Sequence, residues 1–195
     1  LDIDWLKTAI ALQEQQIKLF YDTVNSGFYD ISGSDPSILV RTKESYDGAA
    51  PSGNSIAILN LLRLSHMIDS QNYRSMADKS LAFFGERILN TPESLVQFLV
   101  ALDFSLSKPK QVIIAGSPDS PHTRDLLKEI HLRFIPNRII LLADGGDAQK
   151  TLEAYLPFIK TMRMIGGKST AYICVDYTCK MPTTERTVVA QLLEQ

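Results

Sequence analysis

Arg41-Thr-Lys-Glu-Ser-Tyr-Asp-Gly-Ala-Ala-Pro-Ser-Gly-Asn-Ser55 runs straight into a helical segment, residues 56–68, and this junction decides how the first half of the chain folds. The segment is apolar nearly all round, with Ile56, Ala57, Ile58, Leu59, Leu61, Leu62, Leu64, Met67 and Ile68, so it must be an inner helix covered on several sides. The loop before it gathers two cations (Arg41, Lys43), two carboxylates (Glu44, Asp47), a phenol (Tyr46) and an amide (Asn54) at a helix start whose free N–H groups attract acceptors. Loops hold functional side chains more often than cores do, so this one reads as the rim of a site.

Upstream, Leu6, Ile10, Ile17, Phe20 and Val24 fall near one stripe of an amphipathic helix that Asp2 or Asp4 can cap and Gly27 can stop. Downstream, residues 73–89 form the expected antiparallel partner of the inner helix. Thr91-Pro92-Glu93 then supplies an N-cap, a first-position proline and a first-turn acid for a helix over residues 92–104. Helical hairpins therefore account for residues 1–107. Past Lys108-Pro109 the pattern changes to a short β-branched run at 111–115, a helix at 122–134 and a second apolar run at 138–142 closed by Asp144-Gly-Gly146. That is a βαβ signature. A helix around 152–162, a strand at 171–177 and a closing helix from Thr183 or Thr184 to Leu193 complete a small α/β layer over residues 108–195.

The 195 residues are 45% hydrophobic, enough to bury a sizeable core, and a net charge of -2 argues against nucleic acid as a partner. No apolar run approaches the roughly 18 residues of a membrane span, and no secretory signal opens the chain, so no membrane partner and a cytoplasmic location are expected. Leu1 in place of Met suggests that sequence upstream has been removed.

The chain resembles the C-terminal part of the thioredoxin domain-containing family that includes the spermatogenesis-associated thioredoxin-like proteins. The resemblance is carried by Gly27-Phe-Tyr-Asp30, Arg41-Thr-Lys-Glu, Asp47-Gly-Ala-Ala-Pro-Ser-Gly-Asn-Ser55, Leu59-Asn-Leu-Leu-Arg63, Ala101-Leu-Asp103, and Ala171-Tyr-Ile-Cys174 with Cys179 and Pro182. It implies a whole protein with an N-terminal thioredoxin-like domain followed by an (α/α) toroid similar to six-hairpin glycosidases and N-acylglucosamine 2-epimerases. The fold class expected here is accordingly mixed α and α/β: helical hairpins of an incomplete (α/α) toroid followed by a small α/β layer. The implied function is part of the wall of a carbohydrate-type cavity, with the missing N-terminal part of the same chain as partner. The alternative is a scaffold or client-docking region of a thiol-redox protein. Any activity in this stretch would be sugar-directed, epimerase or glycosidase-like.

Within that frame Glu44 and Asp47 are the catalytic candidates, because paired carboxylates beside a concavity serve as acid and base on sugars. Neutralisation by Arg41 or Lys43 is the competing reading and would lower their pKa values. Arg41, Tyr46, Ser52 and Asn54 are the substrate-binding candidates, with Ser52 or Asn54 also placed to cap the inner helix. Cys174 and Cys179 are redox candidates if the chain turns near Tyr177-Thr178. Otherwise Cys174 is a buried strand thiol and Cys179 packs under Pro182, which is the favoured reading. Residues 112–116 before a helix make a structural turn rather than a phosphate loop, since no G-x-G-x-x-G or Walker pair follows. His66 sits on the inner helix, where a toroid cavity could use it to move protons. His122 and His131 have no metal-ligand pattern around them, and no cofactor or metal is expected.

Overall fold

The computed structural model describes residues 2–175 and 178–194. The chain divides into two compact units, Asp4–Ser107 and the chain from Lys108 onward, with the first residues up to Ile3 grouped with the latter. No helix among the described residues is long and apolar enough to cross a membrane.

The first unit contains α1 (Ile3–Phe20), α2 (Gly53–Met67), α3 (Gln71–Asn90) and α4 (Val96–Leu106). Helix α2 begins where the polar loop ends: the Ser52 side chain caps it by accepting from Ser55 N. Its apolar circumference is covered by α3 and α4, which leaves Ala57, Ile58, Leu61 and Leu62 with no exposed surface. Phe84 from α3 and Phe98 from α4 close the core, their ring centroids 4.8 Å apart. The link from α2 to α3 takes three residues. Asp69 enters the left-handed region at φ 50°, and Ser70 caps α3 through Tyr73 N.

Two boundaries differ from expectation. Helix α1 stops at Phe20 rather than continuing to Val24, because Asp22 turns the chain by accepting from Val24 N and Asn25 N. The helix expected over 92–104 separates into a 3₁₀ turn, Pro92–Ser94, and α4 from Val96, and Thr91 makes no side-chain cap. The cap of α4 comes from elsewhere, as described below.

The second unit is built on a four-stranded mixed sheet in the order β2-β1-β3-β4, from β1 (Lys110–Ala115), β2 (Arg138–Ala143), β3 (Thr170–Val175) and β4 (Thr178–Cys179). β1 and β2 are parallel, joined through α5 (Pro121–His131), as the βαβ signature requires, while β3 runs antiparallel to β1. β1 is buried from Gln111 to Ala115, the pattern of a central strand covered on both faces. Val112, Ile114, Leu126, Ile130, Ile173 and Val189 form the core between the sheet, α5 and α7 (Arg186–Glu194). Glu129 of α5, buried, is bridged by Arg133 and by Arg186 of α7, and the two arginines hold its carboxyl below the usual range. The helix expected over 152–162 is instead α6 (Asp147–Glu153) and a 3₁₀ segment, Pro157–Thr161. Pro157 has no N–H for a continuing ladder and disfavours helical backbone at Leu156.

The cysteines correct the favoured thiol reading. Cys174 and Cys179 face each other in register on β3 and β4, Cα atoms 3.9 Å apart, and are joined as a disulfide. Cys174 is fully buried and Cys179 is exposed. The expected strand extended through Asp176 and Tyr177, and the expected turn included Tyr177. Both residues lie outside the described ones. Closing so short a loop removes unfolded-chain entropy worth about 2 kcal/mol. The Cys174→Ser/Cys179→Ser variant should therefore lose about that much stability in urea denaturation, and a change under roughly 0.5 kcal/mol would mean strand pairing alone holds the hairpin.

Candidate functional site

Two loops of the helical unit, residues 21–30 and 41–55, are stitched into one polar surface. Asn54, only 1% exposed, is the central stitch. Its Oδ1 accepts from Phe28 N at 2.6 Å, and its Nδ2 donates to the carbonyls of Phe28 and Glu44, each at 2.8 Å. Gly27, at φ 76°, lets the first loop pass under it, where a Cβ would meet Phe84 at 3.3 Å. Further along, Asp30 accepts from Glu44 N and from the Thr42 hydroxyl.

Asp22 and Lys43 form the floor of a cleft of about 300 Å³. Their side chains are 6% and 9% exposed and meet at 2.7 Å. Lys43 Nζ also donates to the Ser26 carbonyl, and lies 4.3 Å from the Phe83 ring centroid and 4.9 Å from that of Tyr29. The Asp22 carboxylate accepts from Tyr29 Oη at 2.8 Å besides the turn N–H groups. Burial alone would raise its pKa, but Lys43, the N–H groups of Asn25 and Val24, and the Tyr29 hydroxyl together hold it far below the usual carboxylate range. The Tyr29 hydroxyl is raised in turn by its bond to Asp22. Above this floor the Arg41 guanidinium stacks on the Tyr29 ring, 3.8 Å from its centroid, and Arg87 of α3 reaches the rim, donating to Ser45 Oγ at 2.7 Å.

The other expected site residues are placed as follows. Asp47 joins two helix starts: Oδ1 accepts from Ser52 N (2.8 Å) and Ser55 Oγ (2.7 Å), and Oδ2 from Gln97 N (2.8 Å) and Phe98 N (3.1 Å). It is therefore the cap of α4 as well as a support of α2. Glu44 is exposed, and its Oε1 accepts from Tyr46 N and Ser45 N, which lower its pKa and keep it ionised. Neither carboxylate is paired with Arg41 or Lys43 among the described residues, because Tyr29 and Asp22 occupy those cations. Tyr46 projects outward, 63% exposed, and Ser52 is buried as the α2 cap. His66 stands edge-on to Phe104, ring centroids 5.7 Å apart. Among the described residues no group of three His, Cys, Asp or Glu side chains has metal-holding geometry.

Thus Arg41 and Lys43 converge on the cleft, whereas Asp47, Asn54 and Ser52 hold the loop beneath it. Sequence reasoning missed Asp22, Asn25, Phe83 and Arg87, and quoted Tyr29 only within a motif. Asp22-Thr-Val-Asn25 before a Ser-Gly pair is a turn signal that would have flagged a carboxylate ending its own helix.

No family model matches the chain. It is 34% identical over 194 residues to spermatogenesis-associated protein 20 of Rattus norvegicus, an alignment covering 98% of this chain and 24% of that protein. The Homo sapiens protein of the same name is 33% identical over 190 residues, covering 97% and 24%. An uncharacterized protein of Caenorhabditis elegans is 27% identical over 179 residues, covering 92% and 24%. These proteins are homologues of the chain, which spans about a quarter of the length of the curated relatives it matches.

Proposed function

We propose that residues 4–107 supply part of the wall of a carbohydrate-type binding cavity in a longer protein, of which this chain is the C-terminal part and its helices the last hairpins of an (α/α) toroid. The observation that carries this reading is the cleft over Asp22 and Lys43. It offers two aromatic rings and two guanidinium groups above an organised polar floor, the mixture of apolar face and placed donors that small-molecule sites use. The toroid part draws support from apolar side chains that α1 and α4 leave exposed, including Trp5, Leu12, Leu99 and Val100. Glu44 and Asp47 enter as acids that shape the loop. Glu44 accepts from its own loop N–H groups and Asp47 from the starts of α2 and α4, so a general acid for sugar chemistry would come from another part of the longer protein.

Calorimetric titration with a panel of mono- and disaccharides tests the proposal. Saturable binding should weaken about tenfold in Tyr29→Ala, which removes the ring platform, and persist in Tyr29→Phe, which keeps it. Silence across the panel, or affinity indifferent to Tyr29→Ala, would sink it.

A second reading, a docking scaffold in a thiol-redox protein, is favoured by the Cys174–Cys179 disulfide, whose Cys179 is an exposed residue. Thiol counting in denaturant before and after reductant tests that support, and two free thiols in untreated protein would exclude an intramolecular disulfide in that preparation and remove it.

A further inference from the structure

Three cations line the cleft, Arg41, Lys43 and Arg87, against one carboxylate, Asp22. Lys43 and Asp22 neutralise each other in near-complete burial, so the charge presented to a visitor is that of the two arginines. Neither has an ion-pair partner among the described residues. Arg41 spends its face on the Tyr29 ring, which leaves the edge donors of the guanidinium available, and Arg87 uses one nitrogen on a neutral hydroxyl. Glu44 is the other carboxylate that feels Arg87, but its Oε1 is held on its own backbone N–H groups. Two guanidinium forks on one cavity, flanked by the Tyr29 and Phe83 rings, match a planar or tetrahedral oxyanion attached to a small body that packs beside those rings, on surface that Arg41 and Lys43 do not cover.

We infer that the cleft is a site for an acidic small molecule, whose carboxylate or phosphoryl group is received by Arg41 and Arg87 while its body lies against Tyr29 and Phe83. That the body is a sugar rests on the cavity-wall reading above; that the group is an oxyanion does not. Glucuronate and glucose 6-phosphate are the probes, with glucose as the neutral control and inorganic phosphate as the bare anion, titrated into the 195-residue chain by calorimetry.

The two acids should bind at least about tenfold more tightly than glucose and lose that advantage in Arg87→Ala and in Arg41→Ala, and at raised ionic strength. A preference between the acids identifies carboxylate or phosphoryl as the natural group. If glucose binds and the acids gain nothing over it, the inference falls while the cavity-wall reading stands. If both acids bind through the arginines more tightly than inorganic phosphate and glucose does not bind, the inference stands and the neutral-sugar reading falls, whereas inorganic phosphate binding as tightly as both acids overturns the inference. Acids that bind with the same affinity in both arginine variants, or no binding by any probe, overturn the inference.

Discussion

Lys43→Met should destabilise the helical unit by about 3–5 kcal/mol, since it leaves the Asp22 carboxylate buried without its counter-charge. The same pair sets an acid dependence. Asp22 titrates near about 3.9 in an unfolded chain and far lower in the folded one, so the folded state binds fewer protons. Its contribution is complete above that unfolded value and is lost as pH falls through it toward the folded one. Urea denaturation between about pH 7 and pH 3 should show wild-type stability declining on the acid side. Lys43→Met should show a flatter profile, because the lysine is the main reason the carboxyl is depressed. The double variant Asp22→Asn/Lys43→Met should recover part of the loss, and strict additivity of the two single changes would refute direct coupling.

Asn54→Leu should cost about 3–5 kcal/mol as well, for a different reason. Phe28 N, Phe28 O and Glu44 O each lose a partner at 2.6–2.8 Å in a site that water does not reach, and an unsatisfied buried group costs about 1–3 kcal/mol. Leu keeps the branching of Asn and leaves no cavity, so the loss combines the broken hydrogen bonds with the crowding of two methyl groups against atoms that stood 2.6–2.8 Å away. Asn54→Asp should restore the bond to Phe28 N but not the two donated bonds, and fall between wild type and Asn54→Leu. A loss under about 1 kcal/mol in Asn54→Leu would mean that the loops are held together elsewhere.

What the chain discloses before its structure is known follows the range of each interaction. The inner position of α2 is legible because nine apolar residues crowd one short segment, and the β1-α5-β2 unit because its apolar runs and turn residues are contiguous. The start of α4 is not, because its cap is Asp47, some fifty residues upstream, while the local Thr91-Pro92 signal nucleates only a 3₁₀ turn. β4 escapes for want of length: two residues carry no alternation, and without that strand the register that seats Cys174 opposite Cys179 cannot be read. In the candidate site the second loop announces itself by composition. Its counterpart does not, because Asp22 gains its meaning only from Lys43, brought to it by the Asn54 stitch.

The carboxylate of Asp47 belongs to two helices at once, and this fixes the character of the loop above it. A loop anchored on one helix can swing when a ligand arrives. One pinned to the starts of both α2 and α4 can swing only by uncapping them together, which no single small molecule has the binding energy to do cheaply. Under the binding proposal, the cleft would therefore meet a ligand already shaped, and selection there would work by rejecting what does not fit rather than by closing around what does.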